Sequence, residues 1–268
     1  MKAGLNFCII REFLRLQYIK RRIQKREIDS QSLLKFLRSC GFFGKSKVFI
    51  HGSISQLKKD GNAKQLANTL FDNPNIDEIF LPTFTPSFQN SRVFSLLHSR
   101  SEVGALGDVQ NWKFQMRTPD PLHSVRILTR QPAKLPSFDF HSTFSSEGFF
   151  ASTLDDAVVL NINTYRFLCT YLHVFEEMME VPYKRTGGKV FDGVMYDESN
   201  NACEIRHRSH SNLLQSEFAR AKLESFLLKH GAMQIWKNGN NEVSITNMSA
   251  VRELVIEKLR TNPLFLVT

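Results

Sequence analysis

Residues 117–124 bring together three side chains that could do chemistry, namely Arg117, Asp120 and His123. Pro119 and Pro121 stiffen this segment, because proline fixes its own φ and pushes the residue before it towards an extended conformation. The β-branched run that follows, residues 124–129, predicts a strand. A rigid polar loop beside a strand is a common position for binding and catalytic groups in α/β proteins. Taken alone, the segment fits an ordinary proline-rich turn that faces water at least as well.

A second polar pair, His173 and Glu176, lies three residues apart in a predicted helix, so both side chains face the same side. A histidine accepts a proton near neutral pH, and a carboxylate on its other ring nitrogen fixes the tautomer and raises its basicity. The spacing also suits a metal-ligand pair or a solvated surface pair, but no third ligand-rich motif supports a metal. Their neighbours Leu172, Val174 and Phe175 indicate a partly buried helix, where a polar pair is costly unless it is used.

Composition favours one large α/β domain for the 268 residues. The chain is 42% hydrophobic and contains 23 Phe, which supports a packed core and excludes a disordered protein. The four cysteines are far apart and form no CxxC motif, which argues against zinc and against a disulfide framework and favours a reducing, cytoplasmic compartment. We expect neither a signal peptide nor a transmembrane segment, since no apolar run approaches about 20 residues.

A net charge of +9 predicts an anionic partner, either nucleic acid or a phosphate-rich ligand. Much of the excess lies in residues 1–26, where basic side chains alternate with apolar ones at helical spacing. This basic amphipathic helix is predicted to pack on the domain or on a second copy of the chain, which would give a homodimer. Contact with a membrane surface or a polyanion is the alternative.

The remaining chain, residues 27–268, alternates strands with helices, and this order predicts a single α/β domain. The predicted helices are 27–38, 61–71, 167–179, 216–230 and 247–260. The predicted strands are 47–52, 76–81, 124–129, 156–163, a hairpin of 187–196 with 201–208, and the short strands 233–236 and 242–245. Residues 131–153 are expected to be loop-rich, and their phenylalanines to form core or, alternatively, a lid.

The strand at 47–52 is followed by a small polar turn at 53–55 and then a helix. This arrangement aims backbone N–H groups at a phosphate. It lacks the GxGxxG and P-loop patterns, so the signal is weak by itself.

Taken in order, these stretches resemble the aminoglycoside 3-N-acetyltransferase family, including its branch of sugar N-acyltransferases, from about residue 28 to the C-terminus. The similar segments are 48–57 (the first strand and turn), 81–85 (Pro-Thr-Phe-Thr), 104–106 (Gly-Ala-Leu), 117–124 (Arg-Ser-x-His-Pro-x-x-Ser), 145–148 (loosely, Gly-x-x-Ser), 170–177 (Thr-x-Leu-His-x-x-Glu) and 181–184 (Val-Pro-Tyr-Arg).

The resemblance implies a central mixed sheet flanked by helices and the transfer of an acyl group from acyl-coenzyme A to a primary amine on a sugar, without a metal. It implies that coenzyme A binds near His51, Gly52, Ser53, Ile54 and Ser124. The residues that it implies for the acceptor sugar are Thr83, Phe84, Arg117, His123 and Glu177.

One position departs from the family pattern: Asp120 stands where the family has a histidine, and His123 follows three residues later. We therefore predict that His173 is the general base, that Glu176 orients it, and that Asp120 binds the amine or shares proton transfer. Backbone N–H groups near Ser53 or Ser124 would stabilise the oxyanion. Cys169 is a formal alternative nucleophile, but direct transfer is favoured because a lone helical cysteine among apolar residues is usually core.

The charge balance favours an anionic acceptor over a polycationic aminoglycoside. The predicted function is therefore N-acylation of a nucleotide-linked amino-dideoxy sugar for bacterial surface polysaccharide (O-antigen). The alternatives are an aminoglycoside 3-N-acetyltransferase that confers resistance, a basic nucleic-acid-binding protein whose binding collapses with salt, and a non-catalytic scaffold. The acyl chain, the sugar, the nucleotide and the modified nitrogen stay open.

Overall fold

A computed structural model of the protein describes residues 29–42, 47–52, 70, 76–103, 114–129, 141–164, 167–184, 188–209, 218–239 and 241–268. Four sequence predictions lie outside these residues. They are the N-terminal helix at 1–26, nearly all of the helix at 61–71, the Gly-Ala-Leu segment at 104–106, and the turn that contains Ser53 and Ile54.

The described helices and strands follow one another as the alternating sequence pattern predicts. The helices are α1 (Ser30–Ser39), α2 (Phe88–Ser91), α3 (Phe149–Thr153), α4 (Leu172–Met178), α5 (Arg220–Lys229) and α6 (Met248–Thr261). The strands are β1 (Lys47–Gly52), β2 (Glu78–Pro82), β3 (Val93–Ser95), β4 (Phe114–Arg117), β5 (Val125–Thr129), β6 (Ala157–Ile162), β7 (Lys189–Tyr196), β8 (Ala202–Ser209), β9 (Met233–Asn238) and β10 (Asn241–Asn247).

Seven of these strands form one sheet in the order β4-β5-β2-β1-β6-β10-β9. At its centre β1 runs parallel to both β2 and β6, whereas the outer strands pair antiparallel. A smaller sheet, β3-β7-β8, contains the predicted hairpin. The predicted α/β domain with a central mixed sheet is therefore confirmed.

Alternation along β1 divides the core into two layers, because successive side chains of a strand point to opposite faces. Val48 and Ile50 belong to the layer that packs against α1. Phe49 belongs to the other layer, which includes apolar residues of α3, α4, α5 and α6. His51 shares the face of Phe49, so the sheet directs this histidine towards the side that carries α4.

Local polar contacts fix the ends of the longer helices. The Asp29 side chain accepts a hydrogen bond from the N–H of Ser32 and caps α1. The Asn247 side chain accepts from the N–H groups of Ser249 and Ala250 and caps α6. Gly41 takes a positive φ of 65° directly after α1, a conformation that favours glycine.

The two largest shifts in the start of a predicted helix are those of α4 and α5. The helix predicted at 167–179 begins at Leu172, because the side-chain oxygen of Asn161 accepts the N–H of Leu168 and holds the preceding residues in an irregular loop. The helix predicted at 216–230 begins at Arg220, since the N–H of Ala219 donates to the carbonyl of Leu266.

The sequence patterns also missed four short elements, namely β3, β4, α2 and α3. Helix α3 lies in the region that was expected to be loop-rich. Its Phe149 and Phe150, together with Phe144, are buried, which confirms the core prediction for these three rings.

None of the helices in the described residues is both long enough and apolar enough to cross a membrane.

Candidate active site

The candidate site lies at the edge of the sheet where β1, β2 and β6 end. These strands are parallel neighbours, so their carboxyl ends meet there. The loop of residues 118–124 joins the same edge, because Val125 at the start of β5 pairs with Pro82 at the end of β2. This edge is where open α/β sheets bind their ligands.

Arg117 ties the loop after β2 to the loop before β5. Its guanidinium donates to Ser124 Oγ, to the Thr83 carbonyl at 2.7 Å and to Thr85 Oγ1 at 2.9 Å. It also donates to the Ser99 carbonyl.

Three partners of Arg117, namely Thr83, Thr85 and Ser124, are as deeply buried as the arginine itself. Thr83, Arg117 and Ser124 are at most 5% exposed, and Thr83 Oγ1 in turn donates to the Ser124 carbonyl. These contacts give the three side chains a structural role. Substrate contact by Thr83 and Arg117, and coenzyme A contact by Ser124, stay predictions.

The Asp120 carboxylate points into the protein. Its Oδ1 accepts the N–H groups of Leu122 at 2.9 Å and His123 at 2.6 Å, which closes the turn. Its Oδ2 accepts the hydroxyl of Thr143. At 5% exposure the carboxylate organises the loop that carries His123. Its predicted share in proton transfer stays a prediction.

His207 also lies beside this carboxylate, and sequence analysis did not single it out. Its Nε2 is 3.6 Å from Asp120 Oδ1 and 3.4 Å from Thr143 Oγ1, and its ring is completely buried. The signal that could have found it is the alternation in β8, where Ile205, His207 and Ser209 face inward between exposed or partly exposed residues.

The predicted pair on α4 forms the closest histidine–carboxylate contact of the site. His173 Nδ1 lies 2.6 Å from Glu176 Oε2, and the same oxygen lies 2.9 Å from Lys184 Nζ. The Glu176 side chain is 1% exposed and that of His173 is 28% exposed. With Nδ1 engaged by the carboxylate, Nε2 is the nitrogen that carries the lone pair of the neutral ring.

A row of rings connects the two polar clusters. His123 contacts Phe84 and Phe144, each with a centroid distance of 5.1 Å. Phe144 lies 5.0 Å from His173, which lies 5.0 Å from Phe218. His123 and His173 therefore flank one phenylalanine, so the loop of residues 118–124 and helix α4 contribute to a single site.

The charged groups around His173 are paired with one another. Glu177 binds Arg208 at 2.7 Å, and each is about one-third exposed. Burial lowers the pKa of the Lys184 ammonium, although Glu176 and Glu177 act in the opposite direction. Burial and the neighbouring Glu176 carboxylate raise the pKa of the Tyr183 phenol.

The described part of the predicted coenzyme A region consists of His51 and Gly52. Burial, and secondarily Arg220, lower the pKa of His51 to about 3, so this ring stays neutral. A Cβ at Gly52 would lie 3.0 Å from the Ile162 carbonyl oxygen, which explains the glycine by close strand packing. Ser53 and Ile54 lie outside the described residues.

Cys169 does not have the properties of a nucleophile. Its side chain is buried, and burial raises the pKa of the thiol to about 12. A thiol of that kind is protonated at neutral pH and packs as a small apolar group.

The model of one protein family, described as aminoglycoside 3-N-acetyltransferase, matches residues 51–260. The chain belongs to the aminoglycoside 3-N-acetyltransferase family. This membership confirms the family predicted from the ordered motifs, and with it the general class of N-acyltransferase that uses coenzyme A thioesters. No curated protein matches the chain.

Solved structures of this acetyltransferase family share the fold of the chain. Aminoglycoside acetyltransferase AAC(3)-Xa is 14% identical, with a TM-score of 0.71 over 94% of this chain and 98% of that one. AAC-IIIb, solved as a binary complex with CoASH, is 14% identical, with a TM-score of 0.66 over 87% and 97%. A variant of aminoglycoside acetyltransferase AAC(3)-IVa in complex with apramycin is 14% identical, with a TM-score of 0.63 over 90% and 96%.

Membership in the acetyltransferase family leaves the finer assignments as predictions. These are the acyl group, the acceptor and the roles of the individual residues. No group of three or more His, Cys, Asp or Glu side chains within the described ranges is arranged to hold a metal ion.

Proposed function

We propose that the protein transfers an acetyl group from acetyl-coenzyme A to a primary amine of an aminoglycoside, with His173 as the general base. The contact of 2.6 Å between His173 Nδ1 and the buried Glu176 carboxylate carries this proposal. Two similar proteins support the substrates, since one was solved with CoASH and another, an aminoglycoside acetyltransferase, with apramycin.

The reaction needs a group that removes a proton from the amine. An alkyl ammonium has no lone pair, so it loses a proton before its nitrogen attacks the thioester carbonyl. His173 Nε2 takes that proton, and Glu176 stabilises the imidazolium through Nδ1. The neutral amine then attacks the thioester carbonyl, the new C–N bond forms, and the C–S bond breaks. The nitrogen releases its second proton to water, and the His173 imidazolium protonates the departing thiolate, so the products are the amide, the thiol and one proton.

Direct transfer suits the described residues better than a covalent acyl-enzyme. The nucleophile of a covalent route must be accessible and easily deprotonated. Cys169 is neither, because it is buried and its pKa is raised to about 12.

A nucleotide-linked amino-dideoxy sugar is the second candidate acceptor, and the charges of the site favour it. A polycation is normally bound by carboxylates, but Glu176 is shared by His173 and Lys184. Glu177 is paired with Arg208, and Asp120 points inward. The whole chain carries a net charge of +9, which suits a diphosphate.

The test is thiol release from acetyl-coenzyme A and from longer acyl-coenzyme A species with two panels of acceptors, aminoglycosides and nucleotide-linked amino sugars. Mass spectrometry of the product identifies the acylated amine. Turnover with aminoglycosides supports the first candidate, and turnover only with nucleotide-linked sugars supports the second. If neither panel raises thiol release above hydrolysis in water, both acceptor proposals are wrong.

A further inference from the structure

One oxygen of the Glu176 carboxylate serves two partners. Oε2 lies 2.6 Å from His173 Nδ1 and 2.9 Å from Lys184 Nζ. The Lys184 side chain is 9% exposed and that of Glu176 is 1% exposed, so this ion pair is largely shielded from water. The mechanism proposed above uses His173 and Glu176 and assigns no role to Lys184.

The backbone fixes Lys184 in this position. The N–H of Val181 donates to the Glu176 carbonyl, and the N–H of Lys184 donates to the Val181 carbonyl. The turn after α4 therefore folds back on the helix and carries the lysine to the carboxylate. The contact follows from a hydrogen-bonded turn and does not depend on a freely rotating surface chain.

We propose that Lys184 is a positioning residue that keeps His173 unprotonated, and therefore able to accept a proton, by sharing the charge of Glu176. This inference rests on the proposed role of His173 as the base. A carboxylate next to an imidazole favours the imidazolium form, because opposite charges attract. When an ammonium group already neutralises that carboxylate, the carboxylate stabilises the imidazolium form less.

The charge of the cluster decides the direction of the effect. With Lys184 present, the cluster of lysine, glutamate and neutral histidine has no net charge, and protonation of His173 makes it positive. Without the ammonium, the neutral ring leaves a buried negative charge that protonation would cancel. Loss of Lys184 therefore makes His173 easier to protonate.

The other titratable groups near His173 do not reverse this conclusion. Glu177 on the same helix is balanced by Arg208 of β8. The Tyr183 phenol stays neutral, because burial and Glu176 raise its pKa. His123 contacts the Phe144 ring that also contacts His173, and its contribution is the same in every variant.

The experiment is an NMR titration of the imidazole groups in the full-length protein and in Lys184→Met. The chain has eight histidines, and the signal of His173 is the one that disappears in His173→Ala. We expect the His173 titration in Lys184→Met to move upward by roughly one pH unit or more, the usual effect of a charge within 4–6 Å. Lys184→Arg should keep the titration of the natural protein.

Two further variants separate charge from packing. Lys47→Met removes an ion pair with Asp156, at 3.1 Å, in a contact that does not involve His173, and should leave the His173 titration unchanged. Lys184→Gln keeps a hydrogen-bond donor but no charge, and should titrate like Lys184→Met. If Lys184→Met fails to fold, the comparison of Lys184→Gln with Lys184→Arg decides the question.

An unchanged or lowered His173 titration in the uncharged variants would overturn the proposal and leave Lys184 a structural residue. In the enzyme assay, the acid limb of kcat/KM should move upward by the same amount, which lowers activity about tenfold on that limb. The NMR titration needs no turnover. Absence of acetyl transfer would therefore count against the proposed function alone.

Discussion

Two histidine–carboxylate pairs lie in this site, and they differ in what the carboxylate does. Glu176 contacts His173 at 2.6 Å and shares the contact with Lys184. Asp120 lies 3.6 Å from His207 and accepts two backbone N–H groups and the Thr143 hydroxyl. The His173 side chain is 28% exposed, whereas His207 is completely buried.

This difference is the reason that we propose His173, and not His207, as the catalytic base. A base must reach the substrate with one nitrogen while the other is held, and partial exposure gives His173 that access. Asp120 uses its oxygens to close a turn and to hold the Thr143 hydroxyl of a neighbouring loop, as buried polar groups in a structural network do. We therefore propose different roles for the two pairs, because only His173 is accessible at the sheet edge that carries the candidate site.

Removal of the His173 imidazole should have the largest effect on activity among the variants that test this comparison. In His173→Ala, kcat/KM should fall by about 10²- to 10⁴-fold, the usual contribution of a positioned base. His230→Ala is the matched control, because its ring is exposed and, within the described residues, is hydrogen-bonded only to the Phe226 carbonyl. A loss of less than tenfold in His173→Ala would move the base to another group, with His123 the first to test.

Substitution of Asp120 should lower the stability of the protein and leave its catalytic rate nearly unchanged. Asp120→Ala leaves the buried N–H of Leu122 without its acceptor, so the free energy of unfolding should fall by about 1–3 kcal/mol. Asp120→Asn keeps an acceptor oxygen and should lose less. Urea denaturation measures both variants.

A loss of activity in Asp120→Asn without a loss of stability would contradict the different roles proposed for the two pairs. If this variant loses turnover while its unfolding curve is unchanged, Asp120 takes part in proton transfer, as its position in the sequence motif predicts.

The smallest expected effect is that of Cys169→Ala. The residue is buried three positions before α4, and its thiol has a pKa of about 12, so kcat should stay within about twofold. The free energy of unfolding should fall by about 1 kcal/mol, because a small buried group is lost. Detection of an acylated Cys169 by mass spectrometry would show instead that the acyl group passes through the thiol. The comparison of the two histidines would then not explain catalysis.

The parts of the fold that the sequence predicts are those whose signal is local. Strands β1, β2 and β6 are compact apolar runs, as buried parallel strands should be. The short strands β3 and β4 were not predicted, because a segment of three or four residues has too few positions to show the alternation of apolar and polar side chains. Their identity as strands depends on pairing, which is with the distant β7 for β3 and with the following strand β5 for β4.

The same division applies to the candidate site. The contact of His173 with Glu176 follows from their spacing of three residues on a helix, and the structure brings the two side chains together. His207 and Asp120 are far apart in the chain, so no local sequence pattern predicts their contact. Lys184 stands at the arginine position of a family motif, but only the folded turn shows which carboxylate it contacts.

The position of β1 between β2 and β6 has a consequence for how the chain folds. One neighbour of β1 follows within a few dozen residues, but the other lies more than a hundred residues further along. Loop-closure entropy makes such distant pairing slow. During synthesis on the ribosome, one long side of β1 therefore stays unpaired until most of the chain has emerged. We expect slow, late folding, with this exposed strand edge as the point where two nascent chains would associate wrongly.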